Sequence, residues 1–453
     1  MALGRVFIAN RGEIAVRVIE ACRGLGIETV AGVSEADTDS LAAEMADHAV
    51  VIGPAAPAES YLDIDAVLGA ARSAGADGLH PGYGFLAEQP GLAQACAEAG
   101  IRFIGPDADI IAAMGNKLAA RARAQALGVP VVPGSPEVRS RAEAAAAAAE
   151  IGYPLLMKAA AGGGGRGIKI VAGADGLDVA FATASAEARA AFGDETLYME
   201  RYIANARHIE VQVLGDGFGS VIHAGERDCS VQRRYQKVVE EAPAPGLTDE
   251  LRAGIRAAAV TLAKAIGYQN AGTVEFIVDG DAGCFYFLEM NTRIQVEHPV
   301  TEMITGLDLV AEQIRIAGGA PLSVAQEDIA FSGHAIECRI TAEDAATGFR
   351  PCPGRIGDWQ APAGEGIRVD SHCRAGTLVP PHYDSLLAKL IVSGENRIKA
   401  VSRLQEALAE FTVTGVDTTI PFLRLLTCQL DFVRGGVNTR WLEGNLESLK
   451  GGI

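Results

Sequence analysis

Cysteines at metal-binding or redox spacing are missing from this chain. Its eight, Cys22, Cys96, Cys229, Cys284, Cys338, Cys352, Cys373 and Cys428, are scattered, with no Cys-x-x-Cys pair and no zinc-like Cys/His spacing. That excludes a zinc module and predicts reduced, mostly buried thiols in a cytoplasmic protein. No apolar run reaches the roughly 18 to 20 residues needed to cross a bilayer. Met1 to Asn10 has neither the apolar core nor the small-residue cleavage site of a signal peptide, so a soluble, unexported chain is expected. Positive charge is in deficit: 39 Lys and Arg against 57 Asp and Glu leave a net charge of −18. Such a balance argues against nucleic acid or an anionic membrane as principal partner, while leaving room for a local basic pocket that holds phosphate. A dinucleotide fingerprint is lacking too. Asn10-Arg11-Gly12-Glu13-Ile14-Ala15, at the first strand-to-helix turn, does not contain Gly-x-Gly-x-x-Gly, so this unit reads as a scaffold or a substrate half-site.

What is present suffices for two or three cores: 453 residues, 49% of them hydrophobic. Short strands (Arg5 to Ala9, Glu28 to Val33, Ala49 to Ile52, Gly78 to His80) alternate with helices (Glu13 to Leu25, Leu41 to Met45, Ile64 to Ala74), the rhythm of a doubly wound parallel sheet. A helix running past Pro106 through Lys117 toward Leu127 is broken by Gly128-Val129-Pro130-Val131-Val132-Pro133-Gly134, a hinge signal. The alanine-rich stretch Arg141 to Ile151 predicts a small helix. The fold class is therefore α/β, α+β in part, without an internal repeat. It comprises an N-terminal doubly wound α/β domain (1–115), a helical linker (116–130), a small hinged lid (131–203) and a C-terminal α+β domain (204–453).

Two segments carry the chemistry. The first is Lys158-Ala159-Ala160-Ala161-Gly162-Gly163-Gly164-Gly165-Arg166-Gly167-Ile168. A strand follows it, so its formal Gly-x-Gly-x-x-Gly match is not a dinucleotide site, and Ile168 stands where a Walker motif needs Lys. A glycine-rich connection between two strands can instead fold over a triphosphate, because bare backbone amides approach oxygens that side chains would block. Lys158 could add a cation there. The second segment is Leu288-Glu289-Met290-Asn291-Thr292-Arg293-Ile294-Gln295-Val296-Glu297-His298-Pro299. Read as an extended strand, it points Glu289, Asn291, Arg293, Gln295 and Glu297 to one side. Upstream, Gly272 to Val278 and Cys284 to Glu289 flank an Asp/Gly turn, and a hairpin centred near Ala282 sets Glu275 opposite Glu289. Facing carboxylates repel unless a cation lies between them, and Mg²⁺ accepts one or two carboxylates with phosphate oxygens completing its shell. Two further stretches stay open on their own. The run Glu226 to Pro243 is equally a solvated charged loop or a site, and His80-Pro81-Gly82-Tyr83-Gly84-Phe85-Leu86 is a tight turn or a ligand loop at a strand end.

Taken together, the hinged glycine-loop unit and the Glu275/Glu289/Asn291 wall resemble the ATP-grasp superfamily. Three stretches, Ile8 to Ala15, His80 to Leu86 and Glu289 to His298, narrow the resemblance to biotin carboxylase over essentially the whole chain. The resemblance implies that Lys117 and Lys158 contact ATP phosphates under a closing loop with Gly164, Gly165 and Arg166. Glu200 and the Ile203 backbone would face adenine, with His208, Gln232 and Tyr235 near the nucleotide. Glu275, Glu289 and Asn291 would hold Mg²⁺ or Mn²⁺, two ions in all. Lys237, Arg293, Gln295 and the Val296 backbone would hold bicarbonate, Glu297 would be the general base, and Tyr83 and Arg339 would meet biotin.

The resemblance also implies that biotin arrives on a biotin carboxyl carrier protein and is used by a carboxyltransferase subunit, as in acyl-CoA carboxylases, with the chain acting as a homodimer. An Ala-Met-Lys-Met carrier motif is absent, so the chain is not expected to carry its own biotin. Two positions depart from the family pattern: Tyr235 where His is frequent, and Ala161 in place of one glycine of a longer run. Cys229 reads as a buried structural thiol. Two other functions use overlapping residues, an ATP-grasp ligase joining a carboxylate to an amine and a catalytically silent nucleotide-binding regulator. Stimulation of bicarbonate-dependent ATP cleavage by biotin separates the carboxylase from the ligase, and an ATPase dependent on Glu297 excludes the regulator.

Overall fold

The computed structural model describes residues 3–160 and 168–452. Its first unit is a five-stranded sheet of β1 (Arg5–Ile8), β2 (Glu28–Ser34), β3 (His48–Gly53), β4 (Gly78–His80) and β5 (Arg102–Phe103). The order is β3-β2-β1-β4-β5 and every pairing is parallel. Parallel strands covered on both faces need near-continuous apolar sequence, and β2 is buried from Thr29 to Ser34. Strand order reverses between β1 and β4, which opens the crevice in which doubly wound sheets bind ligands. A helix at Pro90–Glu98, unmarked in the sequence reading, buries Leu92, Ala93 and Cys96. The single helix expected through Lys117 is two, Ala108–Gly115 and Lys117–Ala126, because the Asn116 side chain turns back to cap the second by accepting from the Ala119 amide at 3.0 Å.

A separate three-stranded sheet joins β6 (Leu155–Ala159), β7 (Lys169–Val171) and β8 (Leu197–Arg201) in the antiparallel order β7-β6-β8. Helices Arg141–Ile151 and Leu177–Phe192 contribute Ala144, Ala148, Ala184 and Ala188 to its core. The glycine loop, with Gly164, Gly165 and Arg166, lies outside the described residues.

An eight-stranded antiparallel sheet dominates the rest. It contains β9 (Ala206–Gly215), β10 (Val221–Arg233), β11 (Gln236–Ala242), β12 (Asn270–Asp279), β13 (Cys284–Asn291), β14 (His334–Thr341) and the strands Leu386–Gly394 and Ile367–Ser371. Their order is β13-β12-β9-β10-β11-β14, then Leu386–Gly394, then Ile367–Ser371 at the edge. Val211, Val213, Phe276 and Phe287 pack on Ile255, Ala259 and Leu262 of the helix Asp249–Ala265. That leaves the polar alternates of β9, β12 and β13 on the other face. Among the described residues no helix is long and apolar enough to cross a membrane.

One open alternative is resolved and one expectation corrected here. The run Glu226 to Pro243 is no solvated loop: it forms most of the β10–β11 hairpin, with Glu226, Arg227, Asp228, Gln232, Glu240 and Glu241 buried. The extended strand expected from Leu288 to Pro299 stops at Asn291, and a bend and a turn lead into the helix His298–Thr305. Pro299 sits in that helix's first turn, where a missing amide hydrogen costs nothing.

Candidate active site

The hairpin register pairs Glu275 with Glu289 and Thr273 with Asn291. On its other edge β12 pairs Glu275 with Glu210 and Thr273 with Gln212 of β9. Successive polar alternates thus form one continuous wall across three strands. Glu275 Oε1 accepts from Asn291 Nδ2 at 2.8 Å, Gln295 Nε2 at 2.9 Å and Lys237 Nζ at 3.0 Å. Burial works against its charge, but Lys237 and His208 hold this carboxyl well below the usual range.

Lys237 is the hub of the wall. Its Nζ donates to Glu210 Oε2 and Glu297 Oε1, both at 2.5 Å, and to Gln295 Oε1 at 3.0 Å. Burial alone would neutralise a lysine, yet the carboxylates of Glu210, Glu275 and Glu297 push it well above its ordinary value. Glu297 is only 2% exposed; its Oε2 accepts from Arg339 Nη2 at 2.9 Å. Against its burial, Lys237 and Arg339 keep the carboxyl depressed and ionised. Arg339 is in turn fixed by Glu240, whose Oε1 accepts from Nε at 2.7 Å. The bend therefore brings Gln295 and Glu297 onto the Glu275 wall although the expected alternation ends at Asn291.

Arg293 donates from Nε to Glu88 Oε2 at 3.0 Å and from Nη2 to Asn291 Oδ1 at 3.4 Å, so it borders the wall and reaches toward the N-terminal domain. Lys117 Nζ lies 2.9 Å from Glu289. Lys158 and Arg121 both pair with Glu200, Arg121 Nη1 at 2.6 Å, which ties the three-stranded sheet to the helix Lys117–Ala126; Ile203, just past β8, is buried. His208 Nδ1 lies 3.1 Å from Gln232 Nε2, and its Nε2 lies 3.2 Å from Glu275 Oε2 without hydrogen-bond alignment. Burial lowers this imidazole's basicity, but Glu275 outweighs it and the net shift is upward. Tyr235, 52% exposed at the tip of the β10–β11 hairpin with φ +64°, stands apart from the buried cluster.

Tyr83 occupies the crevice between β1 and β4. Asn10 Nδ2 donates to the carbonyls of Pro81 at 2.7 Å and Tyr83 at 2.8 Å, and the Tyr83 hydroxyl donates to Glu13. Gly82 is obligatory here: its φ is +62°, and a Cβ would sit 2.8 Å from Asn10 Nδ2. Beside it a cavity of about 370 Å³ is lined by Asn10, Arg11, Glu13, Tyr83, Phe85 and Tyr383, among others.

Several residues of the site carried no role in the sequence reading. Glu210, Arg227 and Arg121 are the main ones. Arg227 is fully buried and donates to Glu210 Oε1 at 2.5 Å, Gln212 Oε1 at 2.9 Å, Thr301 Oγ1 at 3.0 Å and Thr273 Oγ1 at 3.1 Å. The signal for Glu210 was available, since His208-Ile209-Glu210-Val211-Gln212-Val213 alternates as cleanly as the hairpin. Cys229 is buried with Sγ 4.0 Å from Glu297 Oε1, and burial pushes its thiol well up, which makes it inert.

The donor chemistry suits a hard divalent cation. Glu275 and Glu289 offer facing carboxylates, Asn291 an amide oxygen, and potential ligand atoms of His208, Glu210 and Glu275 lie within 4.8 Å of one another. Lysines presently balance both carboxylates.

Comparison with known proteins places this geometry in context. The family model "Biotin carboxylase, N-terminal domain" matches residues 2–111, "Carbamoyl-phosphate synthase L chain, ATP binding domain" 116–325, and "Biotin carboxylase C-terminal domain" 337–444. Biotin carboxylase 1 of Bacillus subtilis is 51% identical over 440 residues, covering 97% of this chain and 98% of its own. The biotin carboxylase of Haemophilus influenzae is 51% identical over 446 residues, 98% of this chain and 99% of its own. Among solved structures, the biotin carboxylase domain dimer of the Hydrogenobacter thermophilus 2-oxoglutarate carboxylase, in complex with MgADP, ADP and bicarbonate, superposes with a TM-score of 0.95. It is 49% identical, and the match covers 99% of each chain.

Proposed function

The chain belongs to the biotin carboxylase family, and on that premise we propose that it carboxylates biotin on a biotin carboxyl carrier protein. The reaction uses ATP and bicarbonate, passes through carboxyphosphate and yields carboxybiotin, ADP and phosphate. One observation carries the reading: Lys237, Glu297 and Arg339 converge in a single ion-paired cluster on the wall that bears Glu275 and Glu289. An anion pocket, a base and a cation site therefore share one surface.

Bicarbonate is a poor nucleophile until its hydroxyl proton is removed, and Glu297 is the group that takes it. A carboxylate held as low as Glu297 is a weak base while Lys237 and Arg339 are its partners. Bicarbonate entering beside Lys237, Arg293, Gln295 and the Val296 backbone draws those cations to itself and raises the basicity of Glu297 at the moment of use. Lys117 and Lys158 neutralise charge on the nucleotide phosphates, with Glu200, the Ile203 backbone, His208, Gln232 and Tyr235 around the base and sugar, and Gly164, Gly165 and Arg166 closing above. Mg²⁺ or Mn²⁺ bound with the nucleotide by Glu275, Glu289 and Asn291, two ions in all, supplies further charge neutralisation. Carboxyphosphate breaks its C–O bond to give CO₂ and phosphate; the phosphate accepts the ureido proton, Arg339 stabilises the resulting ureido oxyanion of biotin beside Tyr83, and the ureido nitrogen attacks CO₂ to give carboxybiotin.

The chain works in the cytoplasm as a homodimer within an acyl-CoA carboxylase of fatty acid biosynthesis, whose carboxyltransferase subunit selects the acceptor. Its modules divide at 1–115, 116–130, 131–203 and 204–453. The test is carboxylation of free biotin from labelled bicarbonate, with ATP and bicarbonate omitted in turn. Label in biotin only when both are present is expected; ATP cleavage indifferent to biotin would move the assignment to a carboxylate–amine ligase.

A further inference from the structure

Lys389 lies in the strand Leu386–Gly394, paired with Arg339 on one side and Asp370 on the other. It is wholly buried, and its Nζ donates to the Val296 carbonyl at 3.0 Å. The same Nζ lies 3.0 Å from Glu13 Oε2 and 3.6 Å from Asp370 Oδ2. The Glu13 contact is an ion pair without hydrogen-bond alignment. Arg368 already balances Asp370 with two hydrogen bonds of 2.7 Å. The charge of Lys389 is therefore directed at Glu13 and the carbonyl of Val296.

Those two contacts lead to opposite ends of the site. Val296 precedes Glu297, and Glu13 accepts the Tyr83 hydroxyl through its other oxygen. Glu337 also faces Lys389; both of its carboxylate oxygens lack hydrogen-bond partners among the described residues, and burial pushes it well up. A buried lysine is costly and a well-packed apolar residue would serve packing alone at least as well, so the charge calls for a role. We propose that Lys389 is a positioning residue, which ties the turn carrying Glu297 to the Glu13–Tyr83 pair and so fixes the gap across which the carboxyl group passes to biotin. The inference rests on the assignment of Glu297 as base and Tyr83 as a biotin contact.

The readout is carboxybiotin formed per phosphate released, measured on the full chain with free biotin, together with KM for biotin, KM for ATP and the thermal midpoint. For Lys389→Met the ratio is expected to fall at least fivefold and KM for biotin to rise at least fivefold, with KM for ATP within twofold. Activated carboxyl groups would then be lost to water more often than transferred. A purely structural role scales both activities with the folded fraction and leaves the ratio unmoved, and that result, in a folded variant, overturns the proposal. Should Lys389→Met not fold, Glu13→Gln decides. It retains an acceptor oxygen for Tyr83 while removing the charge facing Lys389, and a ratio unchanged from wild type overturns the proposal equally. A wild-type chain that makes no carboxybiotin sinks the functional assignment instead, a separate outcome visible in the control.

Discussion

Replacing Glu297 with Gln tests the base without disturbing the shape of the site. The side chain is 2% exposed and its two oxygens are spoken for, Oε1 by Lys237 at 2.5 Å and Oε2 by Arg339 at 2.9 Å. Glutamine keeps the volume and one acceptor but loses the charge and the ability to take a proton. General bases contribute about 10² to 10⁴ in rate, or roughly 2.7 to 5.4 kcal/mol of barrier. The kcat for carboxybiotin formation should therefore fall by a factor in that range. Lys117 and Lys158, proposed for the nucleotide phosphates, and Glu289, proposed for the cation, make no hydrogen bond or ion pair with Glu297 among the described residues, so MgATP affinity measured by calorimetry should stay within about threefold of wild type. Lys237 keeps Glu210 and Glu275 as partners and remains charged, which preserves the anion pocket. Turnover within threefold of wild type at saturating bicarbonate would refute the assignment of the base, and so would a loss of activity explained entirely by lost nucleotide binding.

Three other perturbations probe separate parts of the argument. Arg227→Met removes the fully buried guanidinium that balances Glu210, and stranding that carboxylate should cost about 3 to 5 kcal/mol of stability in urea unfolding; a loss below about 1 kcal/mol would show that Lys237 alone suffices. Glu289→Gln halves the facing carboxylate pair and frees Lys117, so the Mg²⁺ concentration for half-maximal ATP cleavage should rise at least tenfold, and an unchanged magnesium titration would count against the cation site. Burial pushes His80 and His372 down to about 3 and His223 to about 4. Their folded values lie below the unfolded one, so the stability they contribute is present above about pH 6.5 and is lost as pH falls toward 3 to 4, at about 1.4 kcal/mol per pH unit for each proton taken up. Unfolding free energies at pH 7, 6 and 5 should show this decline, and His80→Asn should flatten it by about one proton; an identical slope in the variant would refute the attribution.

How far the sequence reveals this site depends on how local each cause is. The Glu275–Glu289 pairing was legible because an Asp/Gly turn fixes hairpin register within 15 residues of chain. The doubly wound unit was legible for a similar reason, since strand and helix periodicities are properties of short windows. The bend after Asn291 was not, although Pro299 in the first turn of the following helix is a local signal that an extended strand could not run through His298. The buried charges of the β10–β11 hairpin were beyond reach for a different reason. Arg227 is neutralised by Glu210, Asp228 by Arg207, Glu226 by Arg256, and Glu241 by Arg397. A charged run looks solvated until its partners are known, and here most of the partners arrive from other strands and helices. Lys389 is the extreme case: it lies 93 residues from the carbonyl it binds and far further from Glu13. Only the antiparallel pairing of Lys389 with Arg339 brings it behind the site. The residues proposed to touch substrate are those the motifs point to, while the charges that hold them in place are chosen by sheet topology, which no short window contains.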